Sequence, residues 1–205
     1  MLTSALALPV RNISRNRRKL PLASDANLRI AQISRPGVLF DNASYLPPAQ
    51  LQQLQLFRPQ VLIGSVEDLR DLASQSERSA LKFSDLDRAA FVLTDFRCSL
   101  LDDVTRALLW EAFSVPLYEL VLAEDGALLA FECEAHSGWH LESRVVLSEI
   151  NGALWYRCRR GPLLATGLTA QIEDRPCDCG RAGRRILNAA LDFRDPLRLK
   201  LGNIA

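Results

Sequence analysis

Short apolar runs alternate with segments of helical spacing between residues 60 and 122, and this alternation constrains the fold more than any other feature. Strands are predicted at Val61–Ile63, Phe91–Leu93 and Leu117–Leu122, with a helix in each interval. Parallel strands need a crossover that is usually helical. The order strand, helix, strand, helix, strand therefore predicts an α/β layer with a mostly parallel sheet.

Three helices are predicted around these strands. Proline at the first turn and apolar spacing place them at 49–56, from Glu67 to Ala73, and from about Ser99 to Phe113. The pair Asp102-Asp103 lies in the first turn of the third helix, where acids favour the helix dipole, and is not interpreted as a pair of catalytic carboxylates. The predicted apolar face of that helix consists of Val104, Leu108 and Leu109.

From residue 127 onward the pattern becomes that of antiparallel strands. Strands are predicted at Leu128–Glu132, Arg144–Ile150 and Leu154–Cys158, and the Asn151-Gly152 dipeptide is typical of a two-residue hairpin turn. The predicted organisation is an N-terminal extension, partly flexible, over 1–45, and one domain over 46–205. That domain is divided into an α/β part (46–125) and a β-rich part (126–190).

Composition excludes several classes of protein. Hydrophobic residues make up 48% and the formal net charge is +1, so no global field attracts nucleic acid or an anionic membrane. No apolar run approaches the roughly 20 residues that cross a bilayer. The basic run over 11–19 lacks interleaved aromatic residues and is interpreted as a solvated tail. Five cysteines, an odd number, favour reduced thiols and a cytoplasmic location.

Two short cysteine motifs carry the clearest chemistry. Cys133 and His136 form a Cys-x-x-His pair, and Cys177 and Cys179 form a Cys-x-Cys turn. Three thiolates and one imidazole suit a closed, tetrahedral, structural zinc site, with unconnected thiols as the alternative. His140 could replace His136 but is the weaker candidate. The other two cysteines are interpreted as buried, inert thiols: Cys98 and Cys158.

The residues around these motifs resemble a known family. The segments that carry the resemblance are Leu56–Gly64, Val115–Tyr118, Phe131–Glu142 and Arg175–Ile186, in order over about residues 50–190. They are similar to the later part of phenylacetate–CoA ligases and coenzyme F390 synthetase-like relatives, which form adenylates. In relatives that have both cysteine motifs, those residues hold zinc. The resemblance implies the same for Cys133, His136, Cys177 and Cys179.

Such ligases join a carboxylic acid to AMP with ATP and magnesium, then transfer the acyl group to coenzyme A. The sequence departs from the motifs that support this chemistry. It has no Ser/Thr/Gly-rich phosphate loop. Tyr118 matches a family motif, but Glu119 and Leu122 replace its glycine and its magnesium-binding glutamate. Thr166-Gly167 matches another motif, but Leu168 replaces the aspartate that binds ribose. The resemblance therefore implies a non-catalytic relative, with no catalytic residue assigned, that acts as a zinc-stabilised interaction or accessory protein.

Two other functions stay open. One is an acid–CoA ligase or acid-adenylating enzyme that uses ATP, magnesium and coenzyme A together with a partner chain. The other is a nucleic-acid-binding zinc module, disfavoured because aromatic stacking partners are lacking. A partner protein or a homodimer is compatible with each function. The arginines that suggest nucleic acid are Arg157, Arg159, Arg160, Arg175, Arg181, Arg184 and Arg185.

Overall fold

A computed structural model describes residues 27–34, 40, 42–47, 50–79, 83–95, 100–123, 126–158 and 161–191. Within these ranges the chain forms three helices and twelve strands. The helices are α1 (Leu51–Phe57), α2 (Val66–Ser79) and α3 (Asp103–Phe113). The strands are β1 (Ile30–Gln32), β2 (Ala43–Tyr45), β3 (Val61–Ser65), β4 (Ala89–Asp95), β5 (Leu117–Leu122), β6 (Leu128–Glu132), β7 (Trp139–Leu141), β8 (Val145–Ile150), β9 (Ala153–Cys158), β10 (Leu164–Ala165), β11 (Leu168–Glu173) and β12 (Arg185–Leu191).

The larger of two sheets has a parallel half and an antiparallel half. In the described part of the chain its strand order is β11-β12-β7-β6-β5-β4-β3-β1-β2. Strands β2, β1, β3, β4 and β5 run parallel, and the four strands beyond β5 pair antiparallel. The predicted α/β class is confirmed. The antiparallel strands β6, β7, β12 and β11, however, extend the main sheet, whereas a separate β part was expected.

The smaller sheet, β10-β9-β8, packs on the antiparallel half. The predicted hairpin between β8 and β9 is confirmed, since Asn151 and Gly152 both have positive φ (54° and 78°), as this turn requires. Leu147 and Leu154 from the small sheet enter the same core as Leu129 from β6. The antiparallel half is therefore covered by a layer of its own.

Four of the parallel strands, β1, β3, β4 and β5, are buried on both faces. On one face Leu62 of β3 packs in a core with Leu69 of α2 and Leu109 of α3. On the other face Ile63 of β3 and Phe91 of β4 belong to a second core. Burial on both faces explains why these strands appear in the sequence as continuous apolar runs.

The predicted apolar face of α3 is wrong in two of its three residues. Val104 is 78% exposed and Leu108 is 36% exposed, whereas Leu109 is fully buried as expected. The buried positions follow a spacing of four along the helix: Thr105, Leu109 and Phe113. The helix begins after Asp102, whose side chain accepts a hydrogen bond from the Thr105 N–H (2.6 Å). Ser99 lies outside the described residues.

The sheet begins before the predicted domain start at residue 46. Strand β1 lies between β2 and β3, and its residues are buried. The limits of the domain at 46 and 205 stay a prediction. The basic run over 11–19 lies outside the described residues. Among the described helices, none has the length and apolar character that crossing a membrane requires.

Candidate metal centre

Four side chains from three separate segments meet at one point. The ligand atoms of Cys133, His140, Cys177 and Cys179, called here the Cys/His cluster, all lie within 4.8 Å of one another. The Sγ atoms of Cys133 and Cys177 are 3.6 Å apart, and His140 Nε2 is 3.4 Å from Cys179 Sγ. Cys133, His140 and Cys177 are buried, and Cys179 is partly exposed. The three cysteines are free thiols. This arrangement can hold a metal ion.

Sheet register brings two of the candidate ligands together. Cys133 directly follows β6, and His140 lies in the neighbouring strand β7, opposite Phe131 of β6. The rings of Phe131 and His140 are stacked at 5.7 Å, which fixes the orientation of the imidazole. The histidine therefore approaches Cys133 across two paired strands, although the two residues are seven positions apart in sequence.

A tight turn between β11 and β12 supplies the other two ligands. The Gly180 N–H donates to the Cys177 carbonyl (2.8 Å), and the Cys177 N–H donates to the Arg181 carbonyl (3.1 Å). Gly180 has a φ of 79°, which glycine adopts without strain. This turn brings both sulfurs to one side of the chain, as the Cys-x-Cys spacing predicted.

The cluster contains a different histidine from the one predicted, and which imidazole binds a metal ion stays a prediction. His136, the predicted fourth ligand, lies outside the cluster, and His140 occupies that place. His136 lies in a left-handed turn whose N–H donates to the Cys133 carbonyl (2.9 Å). Its Nδ1 is 2.8 Å from Glu132 Oε1, and its ring stacks on Tyr118 at 5.3 Å. Residues Cys133 to His136 therefore form the turn after β6, and the His136 imidazole packs on Tyr118 and Glu132 outside the Cys/His cluster.

The environment of the thiols separates their pKa values. Burial raises the pKa of Cys133 to about 12. Burial also acts to raise the pKa of Cys177, but hydrogen bonds from Ser137 and from the Cys179 backbone outweigh it and lower that pKa to about 6. Among these two thiols, Cys177 therefore ionises first and attracts a cation.

Glu132 is a buried carboxylate that the sequence analysis did not single out. Its Oε2 accepts hydrogen bonds from Arg106 (3.0 Å) and from the Glu119 N–H (3.0 Å), and its Oε1 contacts His136. Strand β6 has no alternation of buried and exposed residues that could mark Glu132 as buried, because all five of its residues are buried. The hydrogen-bonding capacity of the Glu132 carboxylate is thus used by Arg106, Glu119 and His136. Glu132 directly precedes Cys133, a candidate metal ligand.

The positions that the resemblance associated with nucleotide binding lie in the protein interior. Leu168 is fully buried, and Glu119 is 2% exposed. Glu119 accepts hydrogen bonds from the Leu101 N–H (3.1 Å) and from Trp139 Nε1 (3.0 Å), and burial raises its pKa. Thr166 Oγ1 donates to the Leu154 carbonyl (2.8 Å) and accepts from the Leu168 N–H (3.1 Å).

Two predictions about the remaining cysteines stay open. Cys98 lies outside the described residues, and of Cys158 the structure describes the backbone, which belongs to β9. Their interpretation as inert thiols stays a prediction.

Comparison with solved structures finds this fold in adenylate-forming ligases. An open conformation of 2-hydroxyisobutyryl-CoA ligase in complex with 2-HIB-AMP and CoA is 13% identical, with a TM-score of 0.61, and the match covers 78% of this chain and 44% of that one. The same ligase in its postadenylation state gives 12% identity and a TM-score of 0.63, covering 78% and 42%. Coronafacic acid ligase from Pectobacterium brasiliense gives 14% identity and a TM-score of 0.52, covering 85% and 40%.

The described part of the chain therefore shares its fold with part of these ligases. The chain spans less than half the length of each of these structures. No protein-family model matches the sequence, and no curated protein matches it. Identity at this level supports the shared fold, and the phenylacetate–CoA ligase branch stays a prediction.

Proposed function

We propose that the chain is a non-catalytic relative of adenylate-forming acyl-CoA ligases that acts as an interaction or accessory protein and is stabilised by zinc. The observation that carries this proposal is the interior location of Leu168 and Glu119. A fully buried leucine cannot accept hydrogen bonds from ribose hydroxyls. The neighbouring Thr166 hydroxyl is engaged with backbone groups on both sides, which supports a structural use of this segment.

The donor set of the Cys/His cluster suits zinc. Thiolates and imidazole are the ligands of structural zinc sites, and four of them complete a tetrahedron with no open position for substrate. Three of the four donors are buried, so a bound ion would be shielded from water. Bound zinc would join the end of β6 and strand β7 to the turn between β11 and β12. Structural zinc contributes about 10–16 kcal/mol of apparent binding free energy, which adds to folding stability.

The test of the non-catalytic proposal is direct. Full-length protein, shown by elemental analysis to carry one zinc per chain, is titrated with ATP and magnesium by calorimetry. It is then assayed for ATP–pyrophosphate exchange with a panel of aliphatic and aromatic carboxylic acids. We expect neither ATP binding nor exchange. Saturable ATP binding, or exchange that depends on one of the acids, would contradict the proposal.

A second candidate function is an acid–CoA ligase completed by a partner chain. It is favoured by the fold shared with a ligase that was solved with an acyl adenylate and CoA, and by the limited span of the match. Native mass spectrometry of the purified protein would reveal a co-purifying chain. ATP binding by that complex, together with its absence in the isolated chain, would favour this function over the first.

The contacts of the arginines around the Cys-x-Cys turn support structural roles for them. Arg184 pairs with Asp174 (2.9 Å), Arg185 is buried and pairs with Glu173, and the Arg181 guanidinium lies 5.4 Å from the centre of the Phe131 ring. Nucleic-acid binding is therefore not part of this proposal. A gel shift that weakens steeply with added salt would restore it.

A further inference from the structure

We propose that Arg185 and Ser137 form the outer coordination sphere of the Cys/His cluster and determine how tightly that cluster holds its metal ion. This inference rests on the proposed zinc centre. It assigns a role to two residues outside the four ligands.

Sheet register places Arg185 beside the cluster. Arg185 begins β12 and lies directly opposite His140 of β7 in an antiparallel pair. Residues opposite each other in such a pair extend their side chains from the same face of the sheet. The imidazole and the guanidinium therefore leave the sheet together, on the side where the thiols lie.

A chain of hydrogen bonds connects Arg185 to a metal-ligand sulfur. Arg185 Nη1 donates to Ser137 Oγ (2.7 Å) and to the Ser137 carbonyl (3.2 Å). The same Ser137 Oγ lies 3.3 Å from Cys177 Sγ. Each atom of this chain is within hydrogen-bonding distance of the next, so a loss of the guanidinium releases the hydroxyl that contacts the sulfur.

Arg185 is an unusual residue to bury, and its interactions show why it is tolerated. Its exposed fraction is 7%, and Nη2 pairs with Glu173 at the edge of the site. Burial acts to lower the pKa of Arg185, but Cys177 and Glu173 outweigh it and raise that pKa. Nε is buried without a hydrogen-bond acceptor among the described residues. The guanidinium thus keeps an unpaired Nε donor among the described residues, and its charge favours the thiolate of Cys177.

The charge of the loaded centre explains this arrangement. Three thiolates and a neutral imidazole around a divalent ion carry one net negative charge. An uncompensated charge in the protein interior is costly, and a buried counter-charge with hydrogen bonds to the sulfurs reduces that cost. Removing outer-sphere partners of metal ligands typically costs about 10- to 100-fold in metal affinity.

The test uses four variants of the full chain. Arg185→Met removes the charge and all donors, Arg185→Lys keeps the charge, and Ser137→Ala breaks the hydrogen-bond chain. Arg184→Met is the matched control, because Arg184 is the preceding residue but is half exposed and pairs with Asp174 away from the cluster. Zinc affinity is measured by competition with a chromophoric chelator, and the cobalt(II)-substituted protein is examined by absorption spectroscopy.

We expect Arg185→Met to lower zinc affinity about 10- to 100-fold. Ser137→Ala and Arg185→Lys should give smaller losses, and Arg184→Met should give less than about a twofold change. The sulfur-to-cobalt charge-transfer band of Arg185→Met should keep its intensity, because three thiolates remain. It should move to longer wavelength, because the lost positive charge and the released Ser137 hydroxyl no longer stabilise the sulfur electrons. A general loss of stability would not move this band.

Two outcomes overturn the inference in distinguishable ways. If Arg185→Met and Ser137→Ala bind zinc like the wild type, with an unchanged cobalt spectrum, the outer-sphere role is wrong and the zinc centre stands. If the wild-type protein binds neither zinc nor cobalt, the zinc centre itself is wrong. Should Arg185→Met fail to fold, Arg185→Lys and Ser137→Ala decide the question by the same two measurements.

Discussion

Two single substitutions, His140→Asn and His136→Asn, test which histidine belongs to the metal centre. His140 lies in the Cys/His cluster, whereas His136, four residues earlier, lies against Glu132 and Tyr118. We expect His140→Asn to lose most of its zinc affinity and His136→Asn to keep it. The two variants change the same residue type four positions apart, so each serves as the control for the other.

The size of the expected loss follows from the number of ligands. Structural zinc sites have apparent binding free energies of about 10–16 kcal/mol. If four ligands contribute equally, one imidazole accounts for about 2.5–4 kcal/mol, which is about 70- to 900-fold in affinity. His140 is also 4% exposed and stacks on Phe131, so asparagine leaves a packing defect that adds to the loss. His136→Asn removes one hydrogen bond at a half-exposed ring and should cost about 1 kcal/mol of folding stability.

The assay combines zinc content with stability. Each purified variant is dialysed against metal-free buffer, its zinc is counted by elemental analysis, and thermal unfolding is recorded with and without a chelator. The wild type and His136→Asn should unfold at lower temperature when the chelator is present, and His140→Asn should be insensitive to it. Zinc lost from His136→Asn and retained by His140→Asn would refute the structural assignment and restore the ligand predicted from spacing.

Three further predictions concern the same region. Gly138→Ala should cost about 2–5 kcal/mol of unfolding free energy in urea titrations, because φ is +98° and the new Cβ would lie 2.4 Å from the Ile186 carbonyl oxygen; a cost below about 1 kcal/mol would contradict this geometry. Thr166→Val should cost about 1–3 kcal/mol in the same assay, because the Leu168 N–H loses its acceptor, and an unchanged midpoint would show that another acceptor replaces it. Zinc affinity should rise with pH near neutrality, about tenfold per unit for each proton displaced, because the Cys133 thiol, with its pKa raised to about 12, is protonated there. Calorimetry in buffers of different ionisation enthalpy counts those protons, and a pH-independent affinity would contradict the prediction.

Much of the fold could be predicted because its strands have strong local signals. The limits of β5 and β6 were predicted as the structure has them, since continuous apolar runs identify strands that are buried on both faces. The Asn151-Gly152 turn was predicted because few other dipeptides adopt positive φ at both positions.

Other elements depend on contacts that sequence patterns do not contain. Strand β7 is only three residues long, which is too short for a clear pattern. Strand β12 begins with Arg185, a polar residue whose burial depends on hydrogen-bond partners from other segments. The face of α3 was misassigned because Val104 and Leu108 have the right spacing for a buried row, yet the row that includes Leu109 and Phe113 meets the sheet. Local periodicity gives the spacing of a face, and packing decides which face is used.

The choice between the two histidines shows the same limit at the candidate site. Spacing from Cys133 favours His136, because two ligands three residues apart can reach one ion from a single turn. The chain instead turns back at His136 and Gly138 and returns as β7, which pairs with β6 on one side and β12 on the other. A ligand on β7 contacts both neighbours of that strand, so an ion held by His140 would fix the position of β12 as well as the loop after β6. A ligand at His136 would join the loop after β6 to the Cys-x-Cys turn but would leave strand β7 without a bond to the ion. The register of three strands, and not the spacing of one motif, therefore makes His140 the residue through which a metal ion can stabilise the antiparallel half of the sheet.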